Sequence, residues 1–161
     1  MKLLAIFFFF TFLSASTVRL MTYNLLNFLD EDERENEYGL VIEYINADLI
    51  IAQEVIGQTG FSKFKSDILD IINPDIWSGA AFTNQSAQQD IALFFKHDLF
   101  TFVSTTAINT AQSSGTRDVI EWILIHNSSG VEFNLYGVHL KASSGTSNAQ
   151  ERFEGTRTAD G

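Results

Sequence analysis

Hydrophobic and polar positions change their spacing twice along this chain, and each change marks a change of element. Val18 to Tyr23 alternates apolar and polar side chains, the two-residue period of a strand. Across Tyr38 to Asn46 the apolar positions Leu40, Val41, Tyr44 and Ile45 instead share one face of a helix. Asp48 to Gln53 is apolar almost throughout, which predicts a strand covered on both faces. A loop with Gly57 and Gly60 leads to a second helix, where Phe61, Phe64, Ile68 and Ile71-Ile72 keep a helical spacing until Asn73-Pro74 ends it. Beyond Pro74 the strand character returns. Ile76 to Phe82, Ile91 to Phe95, Phe100 to Ala107, Val119 to Ile125 and Val131 to Val138 read as strands, with Asn127-Ser128-Ser129-Gly130 as a hairpin turn. Helices early and strands late, with sheet implied on sheet, predict a layered α/β sandwich. Asn148 to Thr158 is polar and starts a further helix with Phe153 as its apolar contact.

Composition narrows the class. The 161 residues suffice for one domain with a real core, and 45% hydrophobic residues with 15 Phe exclude disorder. Without Cys, neither a disulfide framework nor a thiolate metal site is possible. Met1-Lys2 followed by the apolar run Leu3 to Leu13 and the small residues Ser14-Ala15-Ser16 is the pattern of a secretory signal peptide. Residues 1–16 are therefore expected to be removed, leaving 17–161 as a secreted or periplasmic domain. An uncleaved anchor helix is the alternative, but the run is shorter than the ~20 residues of a membrane span, so no transmembrane segment is expected after cleavage.

Charge limits how a substrate is held. The net charge of −10 becomes −11 once Lys2 is removed, with 9 basic against 20 acidic residues. Such a chain has no broad basic footprint for nucleic acid and repels polyphosphates, so a phosphate substrate has to be gripped locally. The acidic run Asp30 to Glu37 reads as a solvated loop or the first turn of a helix, where carboxylates suit the dipole. It lacks the glycine and terminal glutamate of a calcium loop.

Candidate chemistry sits where apolar runs stop. Thr22 to Phe28 and Ile50 to Val55 each carry a polar residue at a strand end, Asn24 and Glu54. If the two strands are neighbours, an amide oxygen meets a carboxylate, a donor pair suited to a hard cation such as Mg²⁺. Alone, Glu54 reads equally as a solvent-facing carboxylate and Asn24 as a turn former. His139 ends the apolar stretch Gly137-Val138 before a Ser/Gly-rich loop; it is either a proton donor to a leaving oxygen or a histidine packed at a sheet edge. Arg117 lies where a loop enters a strand, to clamp a phosphate or to pair with Asp118 on the surface. Lys141 is a second local cation or a solvated one. His97 and His126 sit beside turns and read as surface residues. Neither a phosphate loop nor a zinc helix nor a serine elbow is present.

Taken in order, Y-N-L-L-N-F, A-Q-E-V, D-I-A-L-F-F-K, T-R-D and V-H-L-K-A resemble successive N-terminal blocks of the endonuclease/exonuclease/phosphatase superfamily, the DNase I-like proteins. The resemblance runs from about Val18 to Lys141. It implies a four-layer α/β sandwich with the active site at one end of two packed sheets. It also implies a secreted, divalent-metal-dependent phosphoester hydrolase using Mg²⁺ (or Mn²⁺ or Ca²⁺), a monomer. In that pattern Asn24 helps position metal and phosphate, Glu54 ligates the metal, Arg117 contacts phosphate and His139 stands near the scissile phosphate. The substrate stays open among nucleic acid, phospholipid headgroup and small phosphate ester. The family continues with a G-D-F-N strand end, a further Asp and a terminal S-D-H, and none of these occurs here; the later acids are Glu151, Glu154 and Asp160. The chain is thus expected to be an N-terminal portion that leaves one sheet's inner face uncovered and does not turn over by itself. A non-catalytic secreted binding module on the same scaffold is the alternative.

Overall fold

A computed structural model describes residues 17–29, 33–85, 89–109, 117–140 and 145–146. The elements are β1 (Leu20–Phe28), α1 (Glu35–Ile45), β2 (Leu49–Val55), α2 (Gly57–Phe64), a π-helical turn (Lys65–Leu69), the short α3 (Asp70–Ile72), β3 (Trp77–Gly79), β4 (Asp90–Lys96), β5 (Phe100–Ile108), β6 (Val119–His126) and β7 (Val131–Gly137). They form two sheets, ordered β1-β2-β4-β3 and β5-β6-β7. Only β1 and β2 run parallel. The leader at 1–16 and the helix expected at Asn148 to Thr158 lie outside the described residues.

Side-chain alternation along β2 sorts the layers. Ile50 and Ala52 face a core shared with Tyr38 and Ile42 of α1, Phe64 of α2, and Ile68 and Leu69 of the π turn. Leu49 and Ile51 face the other way, into a core with Leu93 and Phe95 of β4 and Phe100, Ile120, Trp122 and Leu124 of the second sheet. Because β2 is apolar on both faces, it can be central to both cores. The described layers are therefore helices, sheet and sheet.

This arrangement corrects one expectation. The inner faces of the two sheets cover each other, and Trp122 between them is 1% exposed. The apolar alternates of β6 fall on the side of β2 and β4, so the chain buries both inner faces itself. Among the described residues it is the outer face of the second sheet that stays open, where Tyr136 is 44% exposed.

Boundaries differ from the expected ones for local reasons. β1 continues to Phe28 rather than stopping at Tyr23 because its pairing with β2 resumes after an irregularity. α1 starts at Glu35, with Glu35 and Glu37 in its acidic first turn; contrary to the expected apolar face, it turns Tyr38 and Ile42 into the core and leaves Leu40, Val41 and Tyr44 exposed, because the buried positions repeat from Tyr38 and not from Leu40. Its last turn holds no base; Arg19 supplies the charge instead, its Nη1 donating to Ile45 O at 2.7 Å and Asn46 O at 3.3 Å. Gly57 and Gly60 belong to α2 and not to a loop before it: Gly57 has φ +61 and Gly60 lies against Phe28 O. β3 is three residues long, an edge strand paired only with β4.

One close approach joins the sheets. A Cβ on Gly137 would lie 2.6 Å from the Trp122 ring and 3.0 Å from Ile91 Cγ2, so only glycine lets β7 pass this near to β4. Gly137→Ala is expected to lower stability by about 1–3 kcal/mol through overpacking, seen as an earlier urea midpoint.

Candidate active site

Both parallel strands of the first sheet end irregularly, and at the same edge. In β1, Met21, Tyr23 and Leu25 face the helices; the next buried place is taken by Phe28 instead of residue 27. Leu26 and Asn27 have φ of 49° and 57°. In β2, Ala52 is followed on that face by Val55, and Glu54 has φ 61°. Register shifts between Asn24 and Phe28 and between Gln53 and Val55, so β1 carries two extra residues against β2, and β2 one extra residue against β4. Left-handed backbone at such side chains costs about 1–3 kcal/mol per residue, a strain held in place by the flanking buried Leu25, Phe28, Ala52 and Val55.

The extra residue re-aims Glu54. Strict alternation would send it toward the helices with Ala52. Instead it shares the edge with Asn24, whose Nδ2 donates to Glu54 Oε1 at 2.9 Å. The expected amide oxygen beside the carboxylate is not found. Asn24 Oδ1 accepts the Leu26 N–H at 2.8 Å, and since that N–H can only donate, the amide's nitrogen is left facing Glu54.

The second sheet delivers His139 to the same point. Its Nε2 is 3.5 Å from Glu54 Oε1, with both side chains mostly buried, at 11% and 14% exposure. Its Nδ1 is buried and has no hydrogen-bond partner among the described residues. Burial lowers the His139 pKa and the Arg117 charge lowers it further, while Glu54 opposes both.

Arg117, just before β6, is turned inward and not toward Asp118. Its Nε donates to Gln89 O at 3.0 Å and its Nη2 to the Gln89 side-chain oxygen; the Gln89 amide in turn donates to Asn27 Oδ1. Burial lowers the Arg117 pKa, and the carboxylates of Glu54 and then Asp90 oppose that shift. Asn24, Glu54 and His139 are thus in contact, with Arg117 close enough to be felt by both Glu54 and His139. Lys141 lies outside the described residues. His97 and His126 sit at the opposite end of the sheets, bonded to Ser78 and Ser129.

Sequence reasoning passed over two residues. Asp90 opens β4 and, at 3% exposure, is the one buried charged residue among those described. Its Oδ2 accepts the Gly57 N–H at 3.1 Å and its Oδ1 the Gln85 N–H at 2.7 Å, which ties the start of α2 and the loop before β4 to the site. Burial raises its pKa, opposed by those two N–H groups and by Arg117. The signal was a lone acid ahead of the apolar run Ile91 to Phe95. Gln53 is the other; its Nε2 donates to Val138 O at 2.9 Å. Among the described residues no three His, Asp or Glu side chains gather as a metal-binding group, and Glu54 is the carboxylate at the junction.

No protein-family model and no curated protein matches the chain. Solved structures do. A zebrafish (D. rerio) TDP2 humanized by 14 mutations superposes with a TM-score of 0.68 at 14% identity, covering 88% of this chain and 57% of that one. The human Nocturnin catalytic domain with bound sulfate gives 0.66 at 21% identity, over 88% of this chain and 56% of that one. ANGEL2, a 2′,3′-cyclic phosphatase in complex with adenosine-2′,3′-vanadate, gives 0.55 at 17% identity, over 77% and 41%. These are DNase I-like proteins, and the fold is a truncated form of their α/β sandwich: the chain spans little more than half the length of the first two.

Two measurements probe this site. His139 is expected to titrate below its ordinary 6.5 in an NMR pH series. Because its folded pKa is depressed, the stability it contributes is present above 6.5 and is lost as pH falls through the folded value. Asp90→Ala, which leaves two partly buried N–H groups unpaired, is expected to cost about 1–3 kcal/mol in chemical denaturation.

Proposed function

We propose that this chain supplies the carboxylate, amide and imidazole of a divalent-metal-dependent phosphoester hydrolase, exported by its leader and acting as a monomer. The observation that carries the reading is the meeting of Asn24, Glu54 and His139 at one rim of two packed sheets. TDP2 has been captured with a single-stranded DNA product and ANGEL2 with a cyclic-nucleotide vanadate, so this scaffold serves phosphoester chemistry in those proteins.

Glu54 is the residue to hold the metal. Asn24 occupies one carboxylate oxygen from the side, and the donor set offers hard oxygen without thiolate, which suits Mg²⁺ (or Mn²⁺ or Ca²⁺). Mg²⁺ accepts one or two carboxylates and fills its other positions with water and substrate oxygens, so a single acid fits it. When bound, the ion polarises a phosphoryl oxygen and offsets charge that develops there.

The other groups orient and donate. Asn24 acts through its N–H, fixing the rotamer of Glu54, and so positions metal and phosphate indirectly. Arg117 presents a preset positive charge to a phosphate oxygen, held by Gln89. His139, kept neutral near pH 7 by burial, offers a ring N–H to the phosphoryl group. The substrate class is a phosphoester presented as one compact group: a nucleic-acid phosphate, a phospholipid headgroup or a small ester. The rival reading, a non-catalytic binding module on the same scaffold, draws on the acidic net charge of −10.

Calorimetry with Mg²⁺ or Mn²⁺ separates the two readings. Binding by the wild type that Glu54→Gln weakens at least about tenfold supports the metal role. In a longer form of the protein that hydrolyses a phosphodiester, Glu54→Gln and His139→Ala should each lower that hydrolysis by about 10²–10³-fold at unchanged Tm. Near-normal turnover in either variant, or in EDTA, would end this assignment.

A further inference from the structure

We propose that Gln53 is the positioning residue that sets His139 against Glu54. The proposal rests on the hydrolase reading for its functional meaning, but its geometry stands separately. Two facts make the imidazole dependent on something other than its own bonds. The 3.5 Å separation from Glu54 is too long to fix a ring, and Nδ1 has no hydrogen-bond partner among the described residues. The ring is therefore placed by the backbone that carries it.

That backbone has left its ladder. The pairing of β7 with β6 ends at Gly137, opposite Ile120, so Val138 and His139 follow the last sheet partner. What holds the exit is the Gln53 amide, donating to Val138 O at 2.9 Å across 85 residues of sequence. The bond follows from plain alternation along β2, in which Leu49, Ile51 and Gln53 face the second sheet. Gln53 pairs in register with Asn24 and points toward the second sheet, and the left-handed Glu54 turns its own side chain to that edge as well. Adjacent residues thus serve one site from one side: Glu54 meets the imidazole, and Gln53 holds the peptide in front of it. A displacement of about 1 Å at such a group is enough to cost a reaction about a hundredfold.

The test reads position rather than turnover and needs no metal. In the labelled 161-residue chain, NMR should show a coupling across the Gln53 side-chain N–H···O=C Val138 bond and a nuclear Overhauser contact between the His139 ring and the Glu54 side chain. Gln53→Leu, close in size but without a donor, should lose both while the Trp122–Gly137 contact persists. Gln53→Glu keeps the shape and, ionised, cannot donate; it should lose the His139–Glu54 contact too, and it decides the matter if the leucine variant does not fold. Persistence of the His139–Glu54 contact in either folded variant overturns the proposal. So does its loss together with the Trp122–Gly137 contact, which would make Gln53 a general core support. Because no metal or substrate is present, failure of the hydrolase reading would leave these outcomes unchanged.

Discussion

The site depends on the irregular ends of two neighbouring strands. Without the bulges at the ends of β1 and β2, the two-residue period would carry Glu54 back among the helices and leave Asn24 facing Gln53 alone. The bulges hold Leu26 and Glu54 in costly conformations, while Asn27 tolerates left-handed backbone better than either. They persist because the buried residues on either side cannot move. Leu25 and Phe28 bracket one bulge, Ala52 and Val55 the other, and all four are at most 2% exposed. Packing energy is thereby converted into the direction of a carboxylate.

Desolvation then sets the charges. The rim is shielded enough to depress His139, to lower Arg117 and to raise Asp90, each chiefly by burial. The three groups also bear on one another, since Arg117 opposes the shift of Asp90 and reinforces that of His139. A guanidinium between two carboxylates lets a chain with net charge −10 keep one positive point beside Glu54. Long-range attraction cannot do this for an anionic ligand, because the mean field of the molecule repels it.

The parts of this arrangement that were legible in sequence are those that repeat. Two-residue alternation marked the start of β1 and most of β6 and β7, continuous apolar runs marked β2 and β4, and helical spacing marked the presence of α1, though not its buried face, and the end of α2. Asn24, Glu54 and His139 were conspicuous as polar residues where apolar runs stop, and Arg117 as a cation where a loop enters a strand. What sequence could not show was orientation. A bulge is one extra residue in a pairing that only the partner strand defines, so the amide of Asn24 was expected to offer its oxygen and offers its nitrogen. Asp90 was overlooked because an acid before a strand is common; its significance lies in the Gly57 and Gln85 N–H groups that loops bring to it. Gln53 was hidden beside the more obvious Glu54, and its partner lies 85 residues away.

The two cores and the rim are not independent. Ile91 follows Asp90 directly, and Gly137 precedes His139 by two residues; the Gly137 backbone passes close against both the Trp122 ring and Ile91. The packing of Gly137 against the Trp122 ring therefore bears on how far the end of the second sheet reaches toward Glu54. A larger residue at position 137 pushes that end outward, and a smaller one at 122 lets it sink. Either change moves the imidazole without touching any group of the site. For interiors packed as densely as crystals, such shifts are transmitted rather than absorbed. The inter-sheet contact is thus as much a determinant of the rim's chemistry as the polar residues that form it.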